Sequence, residues 1–207
     1  MIAIIDYGVG NLFSLKSSLK AIGAESCVTG DKDEIRSAKK LILPGVGAFG
    51  DAILKLKSAG LDKVIKDEAQ SGKPIMGICL GMQLLFEKSY EFGEYDGLGL
   101  IKGEIRPIKD VIGKNLKIPH IGWNSLEFTK KESKLFKYIK NGDFVYFVHS
   151  YYAANCEESV VANTFYGAHL TAAAENKNVC GCQFHPEKSG ETGLNILRAF
   201  CGEEDVL

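Results

Sequence analysis

Across its 207 residues the chain has no apolar run approaching the roughly 18 residues of a membrane span, so no membrane partner is expected. An excess of one charge is missing too. The 25 basic and 26 acidic residues give a net charge of -1 with no basic stretch, which offers no reason to expect a nucleic-acid partner. The six cysteines, at positions 27, 79, 156, 180, 182 and 201, follow no regular spacing. The opening MIAIIDYG lacks the basic and long apolar regions of a signal peptide. Reduced thiols and a cytoplasmic location are therefore expected. Linkers, internal repeats and low-complexity segments are also missing, and one domain over residues 1–207 is expected.

What remains is an ordinary globular composition, 45% hydrophobic and 25% charged. Ile2 to Asp6 reads as a buried parallel strand. Leu12, Leu15, Leu19 and Ile22 recur at helical spacing, and Gly23 stops that helix. Ser26 to Val28 reads as a strand, Asp31 to Ala38 as a short polar helix, and Leu41 to Pro44 as a third strand. Ala52 to Leu56 and Leu61 to Gln70 read as helices. Pro74 to Ile78 reads as a strand and Leu80 to Glu87 as the helix after it. This alternation predicts an α/β fold: a single-domain mixed, mostly parallel central sheet with helices on both faces. After Tyr90 the pattern changes. Glu91 to Gly103 reads as a loop. Shorter strands follow at Gly103–Ile108, Leu116–His120, Leu126–Phe128, Phe144–His149, Ser159–Phe165, Ala168–Glu175 and Val179–Phe184. They suggest an antiparallel or mixed extension of the same sheet, closed by a helix from Thr192 to Cys201.

Chemistry concentrates at GICLG, where Gly77 and Gly81 bracket Cys79 at the strand-to-helix joint. A sharp turn there strains the joint residue and crowds the positions two places away, so both must be small. The pattern is the cysteine form of a G-x-S-x-G nucleophile elbow. A helix N-terminus favours thiolate, and the Leu80 N–H points to where an oxyanion would form. A cysteine picked blindly is more often a small buried hydrophobe; the glycines and the joint reverse that preference. A thiol nucleophile needs a base, and the base an orienting group. His185 and Glu187 in QFHPEKSG supply them, with Pro186 fixing the backbone between. An isolated H-x-E is more often a loop histidine beside a surface glutamate. His120, His149 and His169 suit structural hydrogen bonding. Cys180-x-Cys182 with one histidine falls short of four ligands and of the usual C-x2-C spacing, so no metal is expected.

GVGAFG, Gly45 to Gly50, matches a dinucleotide fingerprint taken alone. It follows the third strand rather than the first and lacks a clearly placed ribose-binding acid. A backbone strip offering N–H groups to an oxyanion and a substrate suits Gly45, Val46 and Gly47 better, since loops after parallel strands gather at one sheet edge.

GICLGMQ, PGVGAFG and QFHPEKSG together resemble the class I, triad-type glutamine amidotransferases. Within them IIDYGVGNL, IPHIGWN and YFVHSYY look like the glutaminase subunits of imidazole glycerol phosphate synthases, over essentially the whole chain. The resemblance implies that Cys79 attacks the side-chain amide of glutamine, that His185 moves the proton, and that Glu187 orients His185. It implies an oxyanion hole from the N–H of Leu80 and one of the Gly45–Gly47 strip, after a peptide flip near Val46. It places Gln83, Ser150 and Tyr151, with Gly45 and Gly47, at the substrate. It implies no cofactor, and a heterodimer partner: a (β/α)8-barrel cyclase that receives ammonia and makes imidazole glycerol phosphate. Asn11, Trp123, Asn124 and Lys188 match positions at that interface, although a core role for Trp123 is equally compatible with sequence. Three other readings stay open. The same chemistry could serve a partner that amidates a sugar in surface-glycan synthesis; the chain could be a non-catalytic regulatory module; or it could be a stand-alone hydrolase.

Overall fold

The computed structural model describes residues 1–129 and 132–202. In its first half, strands β1 (Ile2–Ile5), β2 (Ser26–Thr29), β3 (Lys40–Leu43) and β4 (Ile75–Ile78) alternate with helices α1 (Leu12–Ala21), α2 (Lys32–Ser37), α3 (Phe49–Ser58) and α4 (Leu61–Gln70). Every residue of β1 and β4 is buried, as expected for strands covered on both faces. Alternation along the strands sorts the core into two layers. Ala3, Ile5, Leu41 and Leu43 share one with α2, α3 and α4. Ile2, Ile4 and Ile42 share the other with Leu15 and Leu19 of α1.

Helix α5 (Leu80–Leu84) follows β4, and then come β5 (Phe86–Ser89), β6 (Tyr95–Asp96), β7 (Ile101–Pro107), β8 (His120–Ser125), β9 (Glu127–Phe128), β10 (Phe144–His149), β11 (Tyr151–Ala154), β12 (Val160–Phe165), β13 (His169–Asn176), β14 (Val179–Cys182) and α6 (Gly190–Cys201). The central sheet has eight strands in the order β2-β1-β3-β4-β14-β13-β12-β9. Pairing is parallel from β2 to β14 and antiparallel from β14 to β9. The late strand β14 lies beside β4 with Cys182 opposite Ile78. That register delivers the chain following β14 to the joint that follows β4.

Four expectations are corrected. The helix after Cys79 stops at Leu84, and Phe86–Ser89 is a strand. Its partners, Ile101–Pro107 and Tyr95–Asp96, come later in the chain, so the pairing leaves no local trace. Within the stretch expected as a loop, Tyr95–Asp96 forms a short strand. Leu116–His120 is not a strand: only His120 belongs to one, and Pro119 has no N–H to give a ladder. The late strands do not all extend the central sheet either. Tyr151–Ala154, unrecognised as a strand, joins β7, β5 and β6 in a separate four-stranded sheet, while β8 and β10 form a two-stranded one.

Among the glycines of the described residues, two of the most tightly enclosed flank Cys79. A Cβ on Gly81 would stand 1.8 Å from the Leu43 carbonyl oxygen, and one on Gly77 2.6 Å from the Met82 Cα. Both obstacles are backbone, so no rotamer change relieves them. Gly81→Ala is expected to lower the unfolding free energy by about 3 kcal/mol, read as a reduced urea midpoint at unchanged slope.

Candidate active site

Cys79 has φ 54° and ψ −112°, a conformation costing roughly 1–3 kcal/mol that persists only where the surroundings impose it. They do so here. The Cys79 N–H donates to the Cys182 carbonyl at 2.8 Å, and its own carbonyl accepts from the Gln83 N–H. Strand and helix are thus both locked, with the cysteine between them.

His185 follows β14 and opens a 3-10 turn over Pro186–Lys188. Its N–H donates to the Tyr146 carbonyl at 2.9 Å, and its carbonyl accepts from the Ser189 hydroxyl at 2.6 Å. The ring Nδ1 lies 2.8 Å from Glu187 Oε1, and both side chains are only 3% exposed. The other ring nitrogen, Nε2, is buried and has no hydrogen-bond partner. Burial pushes the His185 pKa down, but Cys79 and Glu187 outweigh it and raise the value to about 10. A histidine held by a carboxylate on one side and facing a thiol on the other is arranged to exchange a proton with the thiol while the carboxylate orients the ring.

Cys79 and His185 line one cavity of about 350 Å³. Val46, Gly47, Leu80, Gln83, Ser150 and Tyr151 line it as well, so the sequence-derived catalytic and substrate positions meet there except Gly45 and Glu187, which stand behind its wall. Gly45 lies beneath the strip: a Cβ there would meet the Tyr7 hydroxyl at 2.8 Å and the Gly81 nitrogen at 2.9 Å. Gly47 has φ +98°, a conformation open to glycine. The third glycine of the fingerprint, Gly50, is inside α3, where a Cβ would run into the Tyr95 ring at 2.6 Å. Its smallness serves packing.

The four positions assigned to a partner divide. Trp123 is 55% exposed and packs edge-on to Tyr146, centroids 6.2 Å apart. The Lys188 Nζ stands 6.0 Å from the same Tyr146 ring. Trp123 is therefore a surface aromatic, not a core one. Asn11 borders a small void with Val46, His185 and Glu187. Asn124 turns inward, its amide donating to the Phe165 carbonyl at 2.9 Å and reaching His120 Nε2 at 3.2 Å.

Residues 3–203 match the family described as Glutamine amidotransferase class-I. The chain belongs to that family. It is 53% identical over 201 residues to the imidazole glycerol phosphate synthase subunit HisH of Caldanaerobacter subterraneus subsp. tengcongensis, covering 97% of each chain. It is 51% identical over 199 residues to the subunit of the same description from Aquifex aeolicus, covering 95% of this chain and 94% of that one. Among solved structures it resembles a glutamine amidotransferase at a TM-score of 0.75 and 18% identity, covering 97% of both chains. It also resembles PurLQS from Thermotoga maritima at a TM-score of 0.74 and 22% identity, covering 96% of both.

Two polar residues at or beside this amidotransferase cavity, Glu91 and Gln183, escaped the reading of the sequence, and His149, expected only as a structural histidine, borders it too. Glu91 lines the cavity and accepts from the Phe49 N–H at 2.6 Å; burial raises its carboxyl pKa, against the pull of that bond. Gln183 is fully buried beside Cys79. His149 contacts the cavity and bonds to His120, Nε2 to Nδ1, at 2.9 Å. Burial lowers the pKa of each of these histidines to about 4. His120 and His149 thus serve as the hydrogen-bonded structural histidines expected, and His169 pairs with Glu127 at 2.9 Å.

The buried pair has a consequence for acid stability. Between about pH 6.5 and pH 4 both rings are neutral in the folded chain and protonated in the unfolded one. The unfolded state then binds more protons, so stability is present above pH 6.5 and is lost as pH falls toward 4. A loss of up to about 5 kcal/mol, roughly half from each ring, is expected between pH 7 and pH 4.5, measured by urea unfolding. His120→Asn should flatten that slope.

Proposed function

We propose that this chain is the glutaminase subunit of an imidazole glycerol phosphate synthase, one domain over residues 1–207, supplying ammonia to a (β/α)8-barrel cyclase. The observation that carries the chemistry is the pairing of Glu187 at 2.8 Å with His185, which lines the same cavity as Cys79. The relatives at 53% and 51% identity, matched over nearly their whole length, support the pathway.

In this reading glutamine enters the cavity with its side-chain amide at Cys79. The Cys79 sulfur attacks the amide carbon and the thiol proton goes to His185 Nε2, the buried nitrogen otherwise lacking a partner. The Glu187 carboxylate holds Nδ1–H and stabilises the charged ring. The N–H of Leu80, first residue of α5 and so without an acceptor inside the helix, binds the developing oxyanion together with an N–H of the Val46–Gly47 strip. His185 returns its proton to the departing nitrogen, which leaves as ammonia. Water, deprotonated by His185, then attacks the glutamyl thioester; the C–S bond breaks, glutamate leaves and His185 returns the proton to the Cys79 sulfur. Gln83, Ser150 and Tyr151 frame the glutamine, and the Glu91 carboxylate suits its α-ammonium group. Free ammonia would be protonated and lost in water, which favours a partner docked over this sheet edge. Trp123 and Lys188, both set against Tyr146, together with Asn11 and Asn124, form that interface; a half-exposed tryptophan is a common anchor.

Glutamate release from glutamine, measured with and without the barrel subunit and its nucleotide ligand, tests the pathway. Release that depends on the liganded barrel is expected. Full release by the isolated chain would favour a stand-alone hydrolase, and none with that barrel would point to a different acceptor. Cys79→Ala should abolish glutamate production. Glu187→Gln should lower kcat by roughly a hundredfold or more, since it removes the group that orients the base. Near-native turnover in either variant would sink the triad.

A further inference from the structure

We propose that Gln183 is a positioning residue for the Cys79 thiol, and that Gln83 ties it to occupancy of the glutamine pocket. The inference rests on the glutaminase reading for its catalytic meaning but on geometry for its substance. Gln183 is fully buried between Cys182 and Phe184, which are themselves fully buried. An apolar side chain would suit that position, and an amide there is costly unless both its ends are bonded.

Both ends are bonded, and the chemistry fixes which end is which. The Tyr151 carbonyl can only accept. It lies 3.3 Å from one end of the Gln83 amide, so that end is the NH2 group. The same NH2 reaches Gln183 at 2.9 Å, and the Gln183 atom it meets is therefore the carbonyl oxygen. The remaining end, Gln183 Nε2, is a donor and lies 3.7 Å from Cys79 Sγ. No other orientation of the two amides satisfies a backbone carbonyl at one end and leaves no donors facing each other.

Sulfur thus lies between two groups of opposite kind. The Val148 carbonyl, 4.0 Å away, can only accept from the S–H. The Gln183 N–H can only donate to the sulfur. When the thiol gives up its proton the first contact has nothing left to accept, and the second strengthens, because a hydrogen bond to a charged acceptor is the stronger kind. Gln183 therefore favours the attacking form and fixes the direction of its lone pair. Since Gln83 lines the cavity, a glutamine pressing on it acts on the sulfur through one intervening amide.

The test is alkylation of Cys79 by iodoacetamide in the isolated chain, which needs neither glutamine nor a partner. Gln183→Met and Gln183→Leu should each slow it about tenfold while the thermal midpoint changes by only a few degrees. In the complex with the liganded barrel, the same variants should lower kcat at least tenfold with a smaller effect on KM. Alkylation at the wild-type rate in a folded variant would overturn the proposal, as a purely structural amide would give that result. Should neither variant fold, the side-chain amide protons of Gln183 in the wild-type chain decide by NMR. They should shift as Cys79 ionises and stay still over the same pH range in Cys79→Ala; a flat wild-type profile would overturn the assignment. Failure of the glutaminase reading shows up separately, as wild-type protein that alkylates normally but releases no glutamate even with its barrel.

Discussion

The structure depends on how closely α5 lies against the ends of β3 and β4. Backbone meets backbone at Gly81 and Leu43, and again at Gly77 and Met82. That proximity forces Cys79 into a conformation with φ 54°, and the strain is held by the burial of all four residues of β4 and all five of α5. A residue held this way has little freedom to relax when it reacts, so its side chain meets substrate in a preset direction. Beside it, β14 adds the second half of the site. The parallel register of β14 on β4 puts Cys182 level with Ile78, and the polypeptide beyond carries His185 to the thiol. Two segments a hundred residues apart become neighbours through a ladder of main-chain hydrogen bonds.

The same environment separates its histidines. His120 and His149 are bonded to each other and otherwise enclosed, and burial lowers both to about 4. His185 is buried as well but lies between a carboxylate and a thiol, which lift it to about 10. Three imidazoles in one neighbourhood thus divide into two with lowered proton affinity and one with raised proton affinity. All three are buried, so the partners of His185, which bond its ring and bring charge to it, make the difference. The neutral pair has a defined hydrogen-bond direction. His149 Nδ1 faces the Tyr151 carbonyl at 2.8 Å, so that nitrogen carries the proton, Nε2 accepts, and His120 must donate from Nδ1.

Much of this was legible in the sequence because the informative features are local. The G-x-C-x-G joint, the alternation of β1 to β4 with their helices, and the short His185–Glu187 spacing each fit within a few residues and obey simple steric rules. The features that escaped are made by pairings distant in sequence. Phe86 to Ser89 follows an apolar helical stretch and becomes a strand only because Ile101–Pro107 arrives to pair with it. Gln183 looks like an ordinary polar residue until β14 sets it against Cys79. Glu91 sits in a glycine-rich stretch and gains its place by bonding the first amide of α3. The division into three sheets was equally invisible, since alternation reports which face of a strand is buried and not which neighbour it has.

The turn after β1 reaches the site by packing. The Tyr7 hydroxyl donates to the Pro44 carbonyl at 2.8 Å, and a Cβ on Gly10 would stand 3.2 Å from the Pro44 ring. Pro44 is therefore gripped from one side by a phenol and from another by a bare main chain, immediately before the Gly45–Gly47 strip. Asn11, next along, touches the same void as Val46. Turn and strip thus meet at Pro44: the chain's first loop, far from the nucleophile in sequence, packs on the residue that leads into the peptide groups facing it.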